Sequence, residues 1–139
     1  MARIRLALPE SFAFSTTLAV RITDVNYGGH LGNDAVLGLL HEARMQFLRS
    51  MGYSEMNVEG VGLMMADVAI EFKAEAFYGD ALAAEVTAGD FSRVGFDIYY
   101  RLRHVGNGKL VAIAKTGMVC YNYRAKKLAP VPSAFAQRF

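Results

Sequence analysis

Four side chains that can accept or orient a proton, Asp24, Asn26, His30 and Asn33, fall within ten residues, interleaved with Gly28, Gly29 and Gly32. A carboxylate and an imidazole take protons from water, amides hold a water or a carbonyl in place, and glycines let backbone approach a ligand without a Cβ in the way. The chemistry that suits this set is attack on a polarised carbonyl, in which an oxygen gains charge beside preorganised donors.

The donors come from the element that follows. Val36, Leu39, Leu40, Ala43, Phe47 and Leu48 recur with the i, i+3, i+4, i+7 period of one helical face. Asn33 or Asp34 is the expected N-cap and Gly52 the expected stop. The loop would then present the unpaired N–H groups and positive dipole end of a helix N-terminus to whatever binds, with Gly29, Leu31 and Gly32 as the backbone nearest it.

The run D-x-N-x-x-G-H-x-x-N, Asp24 to Asn33, followed by Glu42-Ala43-Arg44 on the helix, resembles the signature of hotdog-fold acyl-CoA thioesterases of the 4-hydroxybenzoyl-CoA thioesterase-like superfamily. Many members read D-x-D-x-x-G-H-V-N-N here, with an L-E-E-A-R-like segment after it. The resemblance extends over nearly the whole chain through the order of its elements. It implies an α+β hotdog domain, an antiparallel sheet wrapped around one long helix, that hydrolyses an acyl-CoA thioester. It also implies a pantetheine arm entering at a subunit interface and no separate cofactor.

One position departs from that pattern. The second acidic residue of D-x-D supplies the working carboxylate in many relatives, and here it is Asn26, whose carboxamide orients water but takes no proton from it. Three readings stay open. Asp24 is the base, with Asn26 and Asn33 positioning water or substrate and His30 holding the loop or the carbonyl. Alternatively Glu42 acts from the helix of a neighbouring subunit, since it lies about 13 Å along the axis from Asn33 in its own. Or the protein binds acyl thioesters, on coenzyme A or an acyl carrier, with little hydrolysis. A hotdog dehydratase or hydratase fits less well, because the His- and Pro-rich segment of those relatives is missing.

Other residues have plainer readings. Asp24 also suits an Asx-turn, Asn26 and Asn33 are ordinary turn and cap residues, and Glu42 and Arg44 suit ion pairs on or between helices. Met64 and Met65 fill a core or line an adaptable acyl pocket. Three histidines and a single cysteine, Cys120, form no metal-ligand spacing, and Cys120 in a strand-like run reads as a buried small hydrophobe. Lys73, Arg93, Arg101, Arg103, Arg124, Lys126 and Lys127 are candidates to meet coenzyme A phosphates or simply charge solvated turns.

The remainder reads as strands: Phe12 to Thr23 before the loop, then Gly60 to Ala76, Ala81 to Ala88, Val94 to His104 and Leu110 to Tyr123, with Gly106-Asn107-Gly108 as a hairpin turn. Pro130 and Pro132 loosen the tail. At 139 residues the chain is the size of a single domain. A net charge of +2 with no basic stripe argues against nucleic acid as partner. A 53 % apolar composition exceeds what one small core needs and points to a homodimer or homotetramer. No span has transmembrane length and the N-terminus lacks a signal-peptide apolar region, so a cytoplasmic protein is expected.

Overall fold

The alternating apolar segments pair as strands, and the single periodic segment is a helix that lies against them. The computed structural model describes residues 1–139. Its elements are β1 (Phe14–Ala19), α1 (Asn33–Ser50), β2 (Gly62–Phe72), β3 (Ala81–Gly89), β4 (Gly95–His104), β5 (Leu110–Asn122), β6 (Lys127–Leu128) and α2 (Ser133–Ala136). All pairings are antiparallel, in the order β1-β3-β4-β5-β2, with β6 added at the end of β5. This is the sheet around one long helix that the resemblance implies.

Helix α1 buries Val36, Leu39, Leu40, Ala43, Phe47 and Leu48. They share one core with Leu82, Ala84, Val86, Ile98, Leu102, Ala114 and Met118 of the sheet. Alanines on both sides let the helix approach closely. Gly52, at φ +82°, ends it: the left-handed turn brings the Tyr53 N–H to the Leu48 carbonyl at 2.9 Å.

Arg44 does not sit where its charge suggests. It is buried, with Nε 3.0 Å from Glu55 Oε1 and a guanidinium N–H 3.1 Å from the Tyr100 hydroxyl, which in turn lies 2.7 Å from Thr116 Oγ1. A buried cation is tolerated because each partner is met. The network also fixes which sheet face is inward. Tyr100 and Thr116 face α1, so Tyr99, Arg101 and Lys115 face away.

Three element boundaries differ from the sequence pattern. The first strand stops at Ala19, because Asp24 folds Ile22–Asp24 into a 3-10 turn. The long strand after the helix runs only from Gly62 to Phe72; beyond it Lys73 and Ala74 both donate to the Val111 carbonyl, and the chain peels toward the loop. The tail is not loose. Pro132 precedes α2, where its fixed φ suits a helix start, and Phe135 is fully buried among Tyr53, Phe91, Phe96 and Phe139. Burial of such a ring contributes about 1.5–3 kcal/mol, enough to override two prolines.

Residues before β1 cross the outward face of the sheet. The Leu6 N–H donates to Glu71 Oε2 at 2.7 Å on β2, and the Arg101 guanidinium lies 4.6 Å over the Phe12 ring. No helix is long and apolar enough to cross a membrane.

Candidate functional site

The loop between β1 and α1 is built on Asp24. Its carboxylate accepts the Arg21 N–H at 2.8 Å and two guanidinium N–H groups at 3.1 and 3.2 Å. Burial alone would raise this carboxyl, but the Arg21 hydrogen bonds and charge hold it below the usual carboxylate range. The Asp24 carbonyl then accepts the Gly32 N–H at 2.9 Å, and Asn26 N–H reaches the His30 carbonyl at 2.9 Å, closing a small hairpin. Within it the Asn26 side-chain oxygen accepts the Gly28 N–H at 2.9 Å, an Asx-turn. Gly29, at φ +86°, makes the left-handed step that a side chain would strain.

Two corrections concern the backbone donors. The Gly29 and Leu31 N–H groups are not free, since they donate to the carbonyls of Asn26 at 3.0 Å and Ala76 at 2.7 Å. The N-cap is Gly32, in extended conformation, rather than Asn33 or Asp34, and no side chain caps the helix. Internal helix bonding begins with Ala35 and Val36, both donating to the Gly32 carbonyl. The unpaired donors are therefore the N–H groups of Asn33 and Asp34 in the first turn, with that of His30 beside them.

Of these residues, His30 and Asn33 border a cleft of about 300 Å³ between the start of α1 and the end of β2. His30, Leu31, Asn33 and Val36 form one wall and Phe72, Lys73, Glu75 and Val111 the other. His30 Nδ1 lies 3.1 Å from the Leu31 carbonyl and Nε2 lies 3.8 Å from Glu75 Oε1. A Cβ placed on Gly28 would lie 3.2 Å from Asn26 Oδ1 and 3.6 Å from His30 Nε2. The absent side chain leaves a space that both groups face.

Other expected site residues are elsewhere. Glu42 borders a second cleft, of about 440 Å³, between β1 and α1, together with Thr17, Arg21, His41 and Gln46. Its carboxylate accepts Gln46 Nε2 at 2.9 Å, and Gln46 Oε1 accepts the Thr16 hydroxyl at 2.6 Å. Met64 and Met65 are exposed on β2 and border neither cleft. Glu75, missed in the sequence, has no motif around it; only the Leu31–Ala76 hydrogen bond brings it to His30. No three His, Cys, Asp or Glu side chains converge as a metal-binding group. Cys120 is buried, and burial pushes its thiol up to about 11, which keeps it protonated and unreactive.

A loop with free helix N–H groups beside an imidazole and an amide can hold a carbonyl while its oxygen gains charge. The family described as the thioesterase-like superfamily matches residues 20–139. The chain belongs to that superfamily. Among solved structures it is similar to Slr0204, a 1,4-dihydroxy-2-naphthoyl-CoA thioesterase from Synechocystis, at 28% identity and a TM-score of 0.80, covering 89% of this chain and 93% of that one. Gentisyl-coenzyme A thioesterase BH1999 matches at 18% identity and TM-score 0.76, over 88% of this chain and 99% of that one. A DHNA-CoA thioesterase from Staphylococcus aureus matches at 17% identity and TM-score 0.76, over 89% and 84%. The last two likenesses speak to the fold. No curated protein matches the sequence. The hotdog fold and thioesterase membership read from the loop motif therefore stand.

Proposed function

We propose that this protein is an acyl-CoA thioesterase, hydrolysing a thioester to a free acid and coenzyme A with the carbonyl held at the start of α1. The observation that carries the reading is the pair of unpaired N–H groups at Asn33 and Asp34 beside Asn26 and His30, in a chain of the thioesterase-like superfamily. Donors aimed at a developing oxyanion stabilise the transition state more than the ground state. Asn26 and Asn33 orient the thioester or the water.

The acyl group is placed along the apolar side of the cleft, past Val36, Val111 and Phe72. The register pairs Val68, Ile70 and Phe72 with Thr116, Ala114 and Ala112, so these β2 side chains share the helix side of the sheet, and Val68 and Phe72 are exposed there. β2 is also a sheet edge with open backbone groups, a surface that proteins rarely leave uncovered. A second copy of the chain is the proposed cover, which makes the enzyme a homodimer or a homotetramer of two such dimers, with Met64 and Met65 at the interface. The reading includes a cytoplasmic location. Aryl acyl-CoAs head the substrates to test, because the solved neighbours named above act on them.

The test is release of free thiol from a panel of short, long and aryl acyl-CoAs. Turnover well above the uncatalysed rate with at least one member is expected. Tight binding without turnover would favour the second reading, an acyl-CoA or acyl-carrier binding protein, which Asn26 at the usual carboxylate position motivates.

A further inference from the structure

Hydrolysis at this loop needs a proton acceptor. Asn26 has none, the Asp24 carboxylate is directed at Arg21, and Glu42 is hydrogen-bonded in the other cleft. Resting on the thioester-hydrolysis reading, we infer that His30 Nε2 takes the proton from the attacking water and that Glu75 is the positioning residue that meets the imidazolium so formed.

The ring geometry supports this assignment. A carbonyl oxygen only accepts, so the contact of Nδ1 with the Leu31 carbonyl at 3.1 Å requires Nδ1 to carry the hydrogen. In the neutral ring that leaves Nε2 with a free lone pair. Nε2 points to the cleft, 3.8 Å from Glu75 Oε1 and facing the space over Gly28 that Asn26 also borders. Two acceptors at 3.8 Å do not hydrogen-bond to one another. Their spacing lets both accept from one water, and once Nε2 is protonated the carboxylate becomes its counter-ion. The 2.7 Å hydrogen bond from Leu31 to Ala76 ties the two segments together, so the pair is part of the fold.

The step balances. Water oxygen bonds to the thioester carbon as one of its protons passes to Nε2, and the carbonyl π pair moves onto oxygen, facing the Asn33 and Asp34 N–H groups. Collapse restores the carbonyl and breaks the C–S bond, and the thiolate takes the proton back from Nε2. The acid formed ionises to solvent, and no other reactant is needed. The charged groups that share the cleft with His30 are Glu75 and Lys73 from the segment after β2, while the Asp34 carboxylate of α1 folds back over Gly32.

The experiment compares wild type, His30→Ala, His30→Gln and Glu75→Gln in thiol release, with kcat and KM read separately and circular dichroism of each variant. Expected are a fall in kcat of about 10²-fold or more in both His30 variants, and partial rescue of His30→Ala by added imidazole, which a purely structural histidine would not show. In Glu75→Gln kcat should fall by about tenfold with KM unchanged, a size typical of an outer-shell partner. Wild-type turnover with full activity or no imidazole rescue in His30→Ala, or with kcat of Glu75→Gln equal to wild type, overturns the assignment and leaves the hydrolase reading standing. Absence of wild-type turnover on every acyl-CoA overturns both.

Discussion

The two clefts beside α1 differ less in size than in the pairing of their polar groups. The cleft against β1 is larger and carries Arg21, His41, Glu42 and Gln46, yet Arg21 is bound to Asp24, Glu42 to Gln46, Gln46 to Thr16, and His41 lies 3.3 Å from Glu55. The cleft against β2 is smaller, but the Asn33 N–H group and one nitrogen of His30, both on its wall, have no hydrogen-bond partner in the chain. A group already paired must break a bond before it serves a substrate, and one held ready without a partner need not. Reactivity is therefore expected at the smaller cleft, and the larger one contributes to stability.

The sharpest way to break that comparison is Gly28→Val. Its side chain fills the space between Asn26 Oδ1 and His30 Nε2, at a position that is not left-handed. Kcat/KM should fall about 10²-fold, as when a reacting geometry is displaced, while thermal stability stays near wild type. Unchanged kinetics would move the reacting carbonyl away from this space.

Asp24→Ala is next. It removes the acceptor of three Arg21 hydrogen bonds at a buried position, and urea unfolding should show a loss of about 2 kcal/mol, within the range for hydrogen bonds to a charged group. The wild-type Asp24 carboxyl titrates below its unfolded value of about 3.9, so its contribution is complete above about pH 4 and is lost as pH falls through the folded value. The stability gap between wild type and Asp24→Ala should therefore narrow in acid. A gap that stays constant, with turnover lost in fully folded variant, would make Asp24 the base.

Glu42→Gln is a smaller perturbation, because an amide still accepts from Gln46. Turnover should change by no more than about twofold, as for a surface substitution. A collapse of activity would place the partner subunit's helix at the reaction centre. The least effect is expected from blocking Cys120. Labelling of the native thiol at neutral pH should be slow and should become complete on unfolding, since burial raises its pKa to about 11. Rapid native labelling would mean that the core beneath β5 opens readily.

Much of this was legible in one dimension where the signal is local. The helix period places α1 to within two residues of its end, and the Gly-rich run places the loop. Pairs distant in sequence were not legible. Arg44 reads as half of an ion pair with no partner named until Glu55 and Tyr100 converge on it, and Phe135 reads as tail until Tyr53, Phe91 and Phe96 surround it. Asp24 stood as a candidate base because nothing local says which way a carboxylate turns, although Arg21 three residues before it was a clue.

The sequence by itself determined the order of the five long strands and the central helix, the apolar faces and the flexible loop before that helix, because periodicity and glycine placement act through neighbouring residues, and the motif in the loop carried the resemblance to the superfamily. Only the tertiary structure decided which polar groups remain unpaired. The N–H groups of Gly29 and Leu31 were claimed by Asn26 and by Ala76, and Glu75 was brought against His30, through contacts made by strand pairing and loop closure across the fold. Hydrogen-bond partners are assigned in space, and a one-dimensional pattern lists candidates without saying which are already taken.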